Sequence, residues 1–321
     1  EMKQKITIAL SIFILILVIG LMVNDMYQNQ KAPTNPYEYS LKDFKHIDES
    51  QFCYQEAEVF VPDIKKLVAI AIDQDDQLYL TGSGKVQIYN KNLELVNQFD
   101  LTKPARSIAV STDGKIYLGI SDHVEIWSQQ GKLLGSWEAF APKSIITSIA
   151  IDEESIYVAD AGKKLVLKYD KDGKLLAELG AKDKLTKRLG FLIPSGYFDV
   201  AIGREGQLWA VNPGMHAFEA YDESGEMISS WHKTSMDLDG FSGCCNPSHF
   251  AMLSNGDFIT SEKGLVRVKV IGPDGNVKCA VAGPEDFDEK EVGIDLAVNS
   301  NDDIFMIVPG KNEVRKFVSF D

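Results

Sequence analysis

The stretch Ser148–Leu179 decides the fold: it reads SIAIDEESIYVAD over Ser148–Asp160 and KLVLKYDKDGKLL over Lys164–Leu176. Four short apolar runs follow one another within it, at Ile149–Ile151, Ile156–Ala159, Leu165–Tyr169 and Leu175–Leu179. Turn-forming residues, among them Asp170-Lys171-Asp172-Gly173, separate the runs and are typical of antiparallel hairpins. The stretch therefore predicts a four-stranded meander, whose two apolar faces need copies of the same unit as neighbours.

Copies of this unit recur along the chain. The first apolar residue of the innermost strand recurs at steps of 38, 41, 51, 50 and 46 residues, at Ile70, Ile108, Ile149, Val200, Phe250 and Leu296. Steps of this size match a four-stranded propeller blade with insertions. The period-2 texture and the Gly-rich turns exclude a multi-helix solenoid. The sequence predicts an all-β, six-bladed propeller over residues 51–321.

The last blade lacks a fourth strand in its own part of the chain. Its strands are predicted at Ile294–Val298, Ile304–Val308 and Val314–Phe320. Tyr54–Val61 alternates apolar and polar residues just before the first blade, so we expect it to complete the last one. Pairing this segment with Val314–Phe320 would remove two exposed sheet edges.

Two segments, Ser107–Leu118 and Ser148–Gly173, resemble NHL repeats, as found in six-bladed NHL β-propellers. The resemblance covers about residues 54–320 and implies this fold, here of a membrane-anchored bacterial type. It does not imply one function, because NHL-type and related six-bladed rings serve as binding platforms, as lyases and as lactonase-type hydrolases.

An apolar run, Ile6–Val23, precedes the propeller and is 18 residues long, which is at the short end of a membrane span. Lys3 and Lys5 precede the run and favour a cytoplasmic N-terminus. A cleaved signal peptide is the rival interpretation, but no small-x-small cleavage site follows the run. We expect an uncleaved signal-anchor over residues 1–25, a polar linker over 26–50 and an extracytoplasmic, periplasmic propeller.

The composition is acidic, with a formal net charge of −14 and 45% hydrophobic residues. A chain with this charge offers no basic stripe to phosphates, so a nucleic-acid partner is not expected.

Three long insertions are predicted on one face of the propeller, in consecutive connections from an outermost strand to the next innermost strand. They are Gly180–Pro194, with the basic residues Lys184, Lys187 and Arg188; Trp231–Ser248, with Cys244-Cys245; and Ala282–Val292, with the acidic residues Asp286, Asp288 and Glu289. This side of the face is the expected working surface.

The residue just before each innermost strand should lie at the channel mouth on that same face. In the last three blades these residues are Asp199, His249 and Asp295. Two carboxylates and an imidazole that converge could hold a divalent metal. They could equally be hydrogen-bonded to backbone amides and water. No HxH or HxxxH spacing is present to favour the metal.

The four cysteines are Cys53, Cys244, Cys245 and Cys279. An exported domain lies in a compartment that permits disulfides, and a structural disulfide is the favoured interpretation. The adjacent pair Cys244-Cys245 could form a vicinal disulfide, bond to separate partners or stay reduced as a redox or metal site. The sequence has no C-x-x-C motif.

No Gly-x-Ser-x-Gly elbow or other nucleophile signature is present. The sequence therefore favours a binding or assembly module in a membrane-associated complex, with one or more protein partners. Two alternatives stay open: a metal-dependent enzyme of lactonase or lyase type at the channel mouth, and a redox accessory protein that uses Cys244 and Cys245.

Overall fold

The computed structural model describes residues 2–29, 44–183 and 188–320. The chain divides into two compact units, residues 1–41 and residues 42–321. The described part of the first unit is one helix, α1, at Met2–Asn29. It runs past the predicted anchor boundary at residue 25 because no proline or glycine interrupts residues 21–29. Its span Ala9–Met26 has a mean hydropathy of 2.3 and is not buried. By length and composition this span could cross a membrane, and a signal sequence would have the same features.

The second unit is an all-β, six-bladed propeller, as predicted: six four-stranded antiparallel sheets. Its first strand in the chain is β1, Tyr54–Phe60. Each of five sheets is formed by four consecutive strands. The first sheet contains β2 Leu67–Ile72, β3 Leu78–Gly82, β4 Lys85–Tyr89 and β5 Leu95–Asp100, and the second contains β6 Ser107–Val110, β7 Ile116–Ile120, β8 His123–Trp127 and β9 Leu133–Ser136. The third contains β10 Ile146–Ile151, β11 Ser155–Asp160, β12 Leu165–Asp170 and β13 Leu175–Leu179; the fourth contains β14 Val200–Ile202, β15 Leu208–Asn212, β16 Ala217–Tyr221 and β17 Met227–His232; the fifth contains β18 His249–Met252, β19 Phe258–Glu262, β20 Arg267–Ile271 and β21 Val277–Ala282.

The sixth sheet combines strands from two distant parts of the chain. β22 Leu296–Val298, β23 Ile304–Val308 and β24 Glu313–Ser319 follow one another, and β1 is the outermost strand. β1 pairs antiparallel with β24, with Tyr54 opposite Ser319 and Phe60 opposite Val314. The backbone groups of β24 thus have partners on both sides, which covers an edge that would otherwise be open.

The hydrophobic core lies between neighbouring sheets. Leu118 and Ile120 of the second sheet pack in one cluster with Tyr79 and Ile88 of the first, and Ile307 of the sixth sheet packs against Leu80 of the first. Burial of one such side chain contributes about 1.5–3 kcal/mol to folding. No sheet buries both of its faces alone. The repeated apolar residues that predicted the blades are therefore also the residues that pack neighbouring blades together.

The turn at Gly173 shows why the hairpins need glycine. Gly173 has φ +86°, and a Cβ at this position would lie 2.3 Å from Trp137 Nε1. Asp170 Oδ1 accepts hydrogen bonds from the amides of Asp172 and Lys174, at 3.0 and 2.9 Å. Only glycine combines this left-handed backbone with such a close approach.

The segment just before β1 packs on the propeller, so the predicted linker ends earlier than residue 50. Ile47 is 9% exposed, and a short 3-10 helix spans Glu49–Gln51. Cys53 forms a disulfide with Cys279 on β21, and the Cys53 amide donates to the carbonyl of Ala280 at 3.1 Å. The favoured structural disulfide is therefore present, and it attaches this segment to the fifth sheet.

Candidate functional site

The innermost strands of the six sheets line a central channel. Ile70, Ile108, Ile149, Ala201, Phe250 and Leu296 are among its lining residues. In a ring of such sheets, the connections from an outermost to the next innermost strand all lie at one end of the channel. The long connections are 180–199, 233–248 and 283–295. We call this end the insertion face.

Asp199, His249 and Asp295 come together at the channel mouth on the insertion face. His249 Nδ1 lies 3.6 Å from Asp199 Oδ2 and 3.5 Å from Asp295 Oδ1. One ligand atom from each residue falls within 4.8 Å of the others. The side chains of the three residues are between 8 and 15% exposed. The residues that the sequence repeats placed at equivalent positions thus form a compact, largely buried cluster.

Both carboxylates already accept hydrogen bonds from backbone amides. Asp199 accepts from Val200 at 2.9 Å and from Phe250 of the next sheet at 2.8 Å. Asp295 accepts from Leu296 at 2.9 Å and from Ile70 of the first sheet at 3.0 Å. The two side chains therefore link neighbouring sheets, which is the non-metal role that the sequence left open.

Burial and charge act in opposite directions on His249. Burial lowers its pKa, but the negative charges of Asp295 and Asp199 outweigh burial and raise the pKa above its ordinary value. Burial raises the pKa of Asp295 to about 6, against the opposing charge of His249. The two carboxylates thus favour the charged form of His249, and a divalent cation bound there would compete with the imidazole proton.

A cavity of about 210 Å³ opens at this mouth. His249 lines it together with Tyr197, Arg106 and Thr147. The Tyr197 ring meets the His249 ring edge-on at 5.6 Å. The cavity is large enough for a small group of a ligand or for one side chain of a partner.

The cysteine pair lies in the second insertion. Cys244 Sγ and Cys245 Sγ are 3.1 Å apart, and both are free thiols in this structure. Cys244 is exposed and Cys245 is buried. Lys263, at the end of β19, approaches the same region: its Nζ is 3.3 Å from Ser195 Oγ and 5.0 Å from the Tyr197 ring centre.

A buried charged network holds the second insertion to β20. Glu262 Oε1 pairs with Arg267 Nε at 2.6 Å and with Lys269 Nζ at 2.9 Å. Arg267 also donates to the carbonyls of Met236 and Gly240, at 3.1 and 2.9 Å. Lys269 donates to Gly240 and, at 3.0 Å, to Leu238. Burial lowers the pKa of Lys269 to about 8. These bonds fix the insertion from its interior.

The acidic insertion receives the segment that precedes β1. Glu289 pairs with Lys45, and Glu285 Oε1 lies 4.0 Å from His46 Nδ1. Asp286 accepts a hydrogen bond from the Gly283 amide at 2.7 Å. Glu291 is 4% exposed and accepts from the Gly310 amide at 3.0 Å. Several of the acidic side chains predicted for a binding face therefore have partners within the protein. Asp288 is exposed.

The basic insertion is described only in part. Lys184 and Lys187 lie outside the described residues. Arg188 points back onto the fourth sheet, where its guanidinium bonds to Tyr221 and pairs with Glu219 at 3.0 Å. Of the basic residues that the sequence assigned to a binding face, Arg188 therefore has a structural contact.

Sequence reasoning did not find the partners of these groups. Ser195, Tyr197 and Lys263 beside the cysteines, and Arg267 and Lys269 around Glu262, were not singled out. One signal was present: β20 reads RVKVI, with two cations at alternate positions of an apolar strand. Buried cations at that spacing require an anion on the facing side.

Comparisons with solved structures support the fold. A streptogramin B lyase superimposes with a TM-score of 0.61 at 13% identity, over 85% of this chain and all of that one. A virginiamycin B lyase from Staphylococcus aureus gives 0.60 at 11% identity, over 83% of this chain and all of that one. A protein of unknown function from Bacteroides caccae gives 0.52 at 17%, over 75% of this chain and 81% of that one.

No protein-family model and no curated protein sequence matches the chain. The NHL resemblance is therefore not confirmed, whereas the six-bladed propeller is supported by the structure and by its neighbours. At 11 to 17% identity the likeness concerns the fold alone, and a propeller can serve as a protein-binding or as an enzymatic module.

Proposed function

We propose that the chain is a membrane-anchored, extracytoplasmic binding module whose insertion face contacts a protein partner in a membrane-associated complex. One observation carries this proposal: the three long insertions occupy consecutive connections around one channel mouth. Internal bonds such as those of Arg267 and Glu291 fix their described parts. A surface that is built rigidly before it meets a partner binds at a lower entropic cost.

Two features of the described residues support this location. The apolar span Ala9–Met26 suits a single-pass anchor, and Lys3 and Lys5 before it favour a cytoplasmic N-terminus. The Cys53–Cys279 disulfide suits an oxidising compartment such as the periplasm. The propeller would then face outward, on the side where the protein partner is expected.

The charge of the insertion face suggests the chemistry of the partner. Glu285, Asp288 and Glu289 lie within five residues on the acidic insertion, and all three are exposed. Lys45 and His46 offset part of this charge. A partner with a basic patch would complement the remainder, and the basic insertion around Lys184 and Lys187 would orient it.

The test compares charge reversal on the two faces. Full-length protein that carries Glu285→Lys and Asp288→Lys is solubilised from membranes and its co-purifying proteins are quantified. The matched control is Asp172→Lys, an exposed residue in the turn between β12 and β13 at the other end of the sheets. We expect the insertion-face variant to lose a partner that wild type and the control recover. Equal recovery by all three proteins would contradict the proposal.

A second candidate function is a metal-dependent enzyme of lactonase or lyase type. The grouping of Asp199, His249 and Asp295 favours it, and two structural neighbours are named lyases. A divalent metal on these ligands would polarise a carbonyl or activate water. The carboxylate bonds to backbone amides and the charge balance with His249 weigh against it. Metal analysis of the purified protein, wild type against His249→Ala, decides: a stoichiometric metal lost in the variant supports this function, and its absence from wild type removes it.

A further inference from the structure

The adjacent cysteines differ in their access to solvent. Cys244 is exposed, whereas Cys245 is 2% exposed, and their sulfurs are 3.1 Å apart. The other two cysteines, Cys53 and Cys279, are joined in a disulfide. The pair therefore combines one sulfur that a partner can reach with a second sulfur directly behind it.

The peptide that carries this pair is attached firmly to its surroundings. Asn246 is 1% exposed; its Nδ2 donates to the carbonyls of Ser242 and Lys263, at 2.6 and 2.9 Å, and its Oδ1 accepts from the Lys263 amide at 2.9 Å. The Gly243 carbonyl lies 2.5 Å from His216 Nε2. The two thiols are thereby held against the end of β19, where Lys263 begins the next turn.

The surroundings of Cys245 favour its thiolate. Burial alone would raise the pKa of Cys245, but hydrogen bonds with Ser195, Cys244 and Lys263, together with the Lys263 charge, lower it below its ordinary value. The hydrogen bond with Cys245 raises the pKa of Cys244. The buried sulfur is thus the one that carries negative charge more readily, and the exposed one holds its proton more tightly.

We propose that Cys244 and Cys245 form a redox-active vicinal dithiol that exchanges a disulfide with thiols or disulfides of a partner molecule. In the oxidising direction, Cys244 passes its proton to the adjacent Cys245 sulfur and attacks one sulfur of the partner's disulfide as a thiolate. A mixed disulfide forms on Cys244, the partner's disulfide bond breaks, and the other partner sulfur leaves with the proton held by Cys245. The Cys245 thiolate then attacks Cys244 Sγ. The Cys244–Cys245 bond forms, the mixed disulfide breaks, and the second partner sulfur leaves. The pair, one thiol and one thiolate, loses two electrons and one proton; the partner's disulfide gains them, and its second sulfur takes a proton from solvent.

The reverse direction uses the same division of roles. A partner thiolate attacks Cys244 Sγ, which is the accessible sulfur of the vicinal disulfide, and Cys245 leaves as the thiolate that its surroundings stabilise. Stabilised thiolates are the better leaving groups in such exchange. A disulfide between adjacent residues closes a strained ring, and strained disulfides are the labile ones. Both features make the exchange reversible.

The first test uses oxidised glutathione as the disulfide, with the full-length protein and mass spectrometry of alkylated thiols. We expect wild type to lose both free thiols and to end with a Cys244–Cys245 disulfide. Cys245→Ser should retain a glutathione adduct on Cys244, because the sulfur that resolves it is missing. Cys244→Ser should form no adduct, because its remaining sulfur is buried. The Cys53–Cys279 disulfide is the internal control, since it should be the same in all three proteins.

The second test addresses Lys263. Lys263→Met removes the ammonium beside Cys245, which should raise the Cys245 pKa and slow release of glutathione from Cys244 at neutral pH. Because nucleophilicity rises as the thiolate fraction falls, each tenfold loss of thiolate should slow the release about threefold. Lys91→Met, which changes an exposed lysine in the turn between β4 and β5, should leave the rate unchanged. Equal thermal unfolding of the two variants shows that any change in rate is local.

Two results would overturn the proposal. One is wild-type protein that keeps both thiols in excess oxidised glutathione, a measurement that needs no variant. The other is an adduct on Cys244 that lasts as long in wild type as in Cys245→Ser, since Cys245 would then have no part in the exchange. A Cys244→Ser protein that gains the adduct as fast as Cys245→Ser would overturn the assignment of roles.

Discussion

Asp199 joins two sheets through the amide of Phe250. Its Oδ2 accepts this hydrogen bond at 2.8 Å across the boundary between the fourth and fifth sheets. Asp295 makes the equivalent bond to Ile70, from the sixth sheet to the first, at 3.0 Å. The residues that the sequence marked as metal ligands thus take part in the lateral attachment of the blades. The carboxylates of Asp199 and Asp295 therefore have a structural role whether or not an ion binds to them.

The first prediction concerns this attachment. Asp199→Ala should lower the free energy of unfolding by about 2–4 kcal/mol, because two buried amides lose a charged acceptor. The measurement is urea unfolding of the solubilised protein. Ser148→Ala is the matched control at the equivalent position of the third sheet, where the hydroxyl accepts from Val200 at the longer distance of 3.3 Å; it should cost less. Equal losses would show that the Asp199 bonds contribute nothing special.

The second prediction concerns pH and His249. Its folded-state pKa lies above that of a free imidazole, so folding takes up a proton and the stabilisation is complete only below the ordinary pKa of about 6.5. This stabilisation is lost as the pH rises through the raised pKa. His249→Gln should therefore be less stable than wild type by about 1–3 kcal/mol at pH 6, with a smaller difference at pH 9.

Thermal unfolding of both proteins between pH 5 and 9 checks this prediction. His123→Gln is a suitable control, because this histidine is also paired with carboxylates, at 2.9 and 3.6 Å, but lies away from the channel mouth on β8. A difference between wild type and His249→Gln that grows with pH would have the wrong sign and would rule out the imidazolium arrangement.

The sequence predicted the fold well because the fold depends on period. Strand alternation and turn chemistry are local signals, and they located the innermost strands. Val200 begins β14 as expected, whereas β10 begins at Ile146, three residues before the predicted Ile149. The same alignment placed Asp199 and His249 at one mouth, because equivalent positions of a ring share a height. The repeats also indicated the pairing of β1 with β24, because the last blade lacked a fourth strand and the alternating segment before the first blade belonged to no other sheet.

The partners of these residues could not be read in the same way. Cys245 contacts Ser195 and Lys263, which lie in two other connections between strands. Two of the three connections are long insertions, and their sequences show no strand alternation from which their paths could be predicted. The Cys53–Cys279 pairing depends on how the segment before β1 crosses the fifth sheet. Such contacts are set by tertiary packing, so composition and spacing carry no signal for them until the sheets are in place.

The third prediction concerns Lys269 and has the opposite sign to that of His249. Its folded-state pKa of about 8 lies below the ordinary 10.5, so folding releases a proton when the pH lies between these values. The stability of wild type should rise by about 1–3 kcal/mol from pH 8 to 10 relative to Lys269→Met, which has no such group. Urea unfolding at several pH values measures this slope. Parallel curves for the two proteins would contradict it.

The last prediction concerns the strand β1. A chain that starts at Pro62 lacks β1 and leaves one edge of β24 open, beside Val314 and Phe317, which are otherwise buried. We expect this chain to aggregate or to unfold at a lower urea concentration, because an open strand edge pairs with other chains. Gel filtration and unfolding curves measure both effects.

The matched control separates the strand from the disulfide, since the truncated chain also lacks Cys53. A chain that starts at Phe44 and carries Cys53→Ser and Cys279→Ser keeps β1 but not the disulfide. Loss of a native disulfide typically costs about 2–5 kcal/mol, so this control should be weakened yet monomeric. If the control aggregated as much as the chain from Pro62, the disulfide rather than the β1–β24 pairing would hold the sixth sheet together.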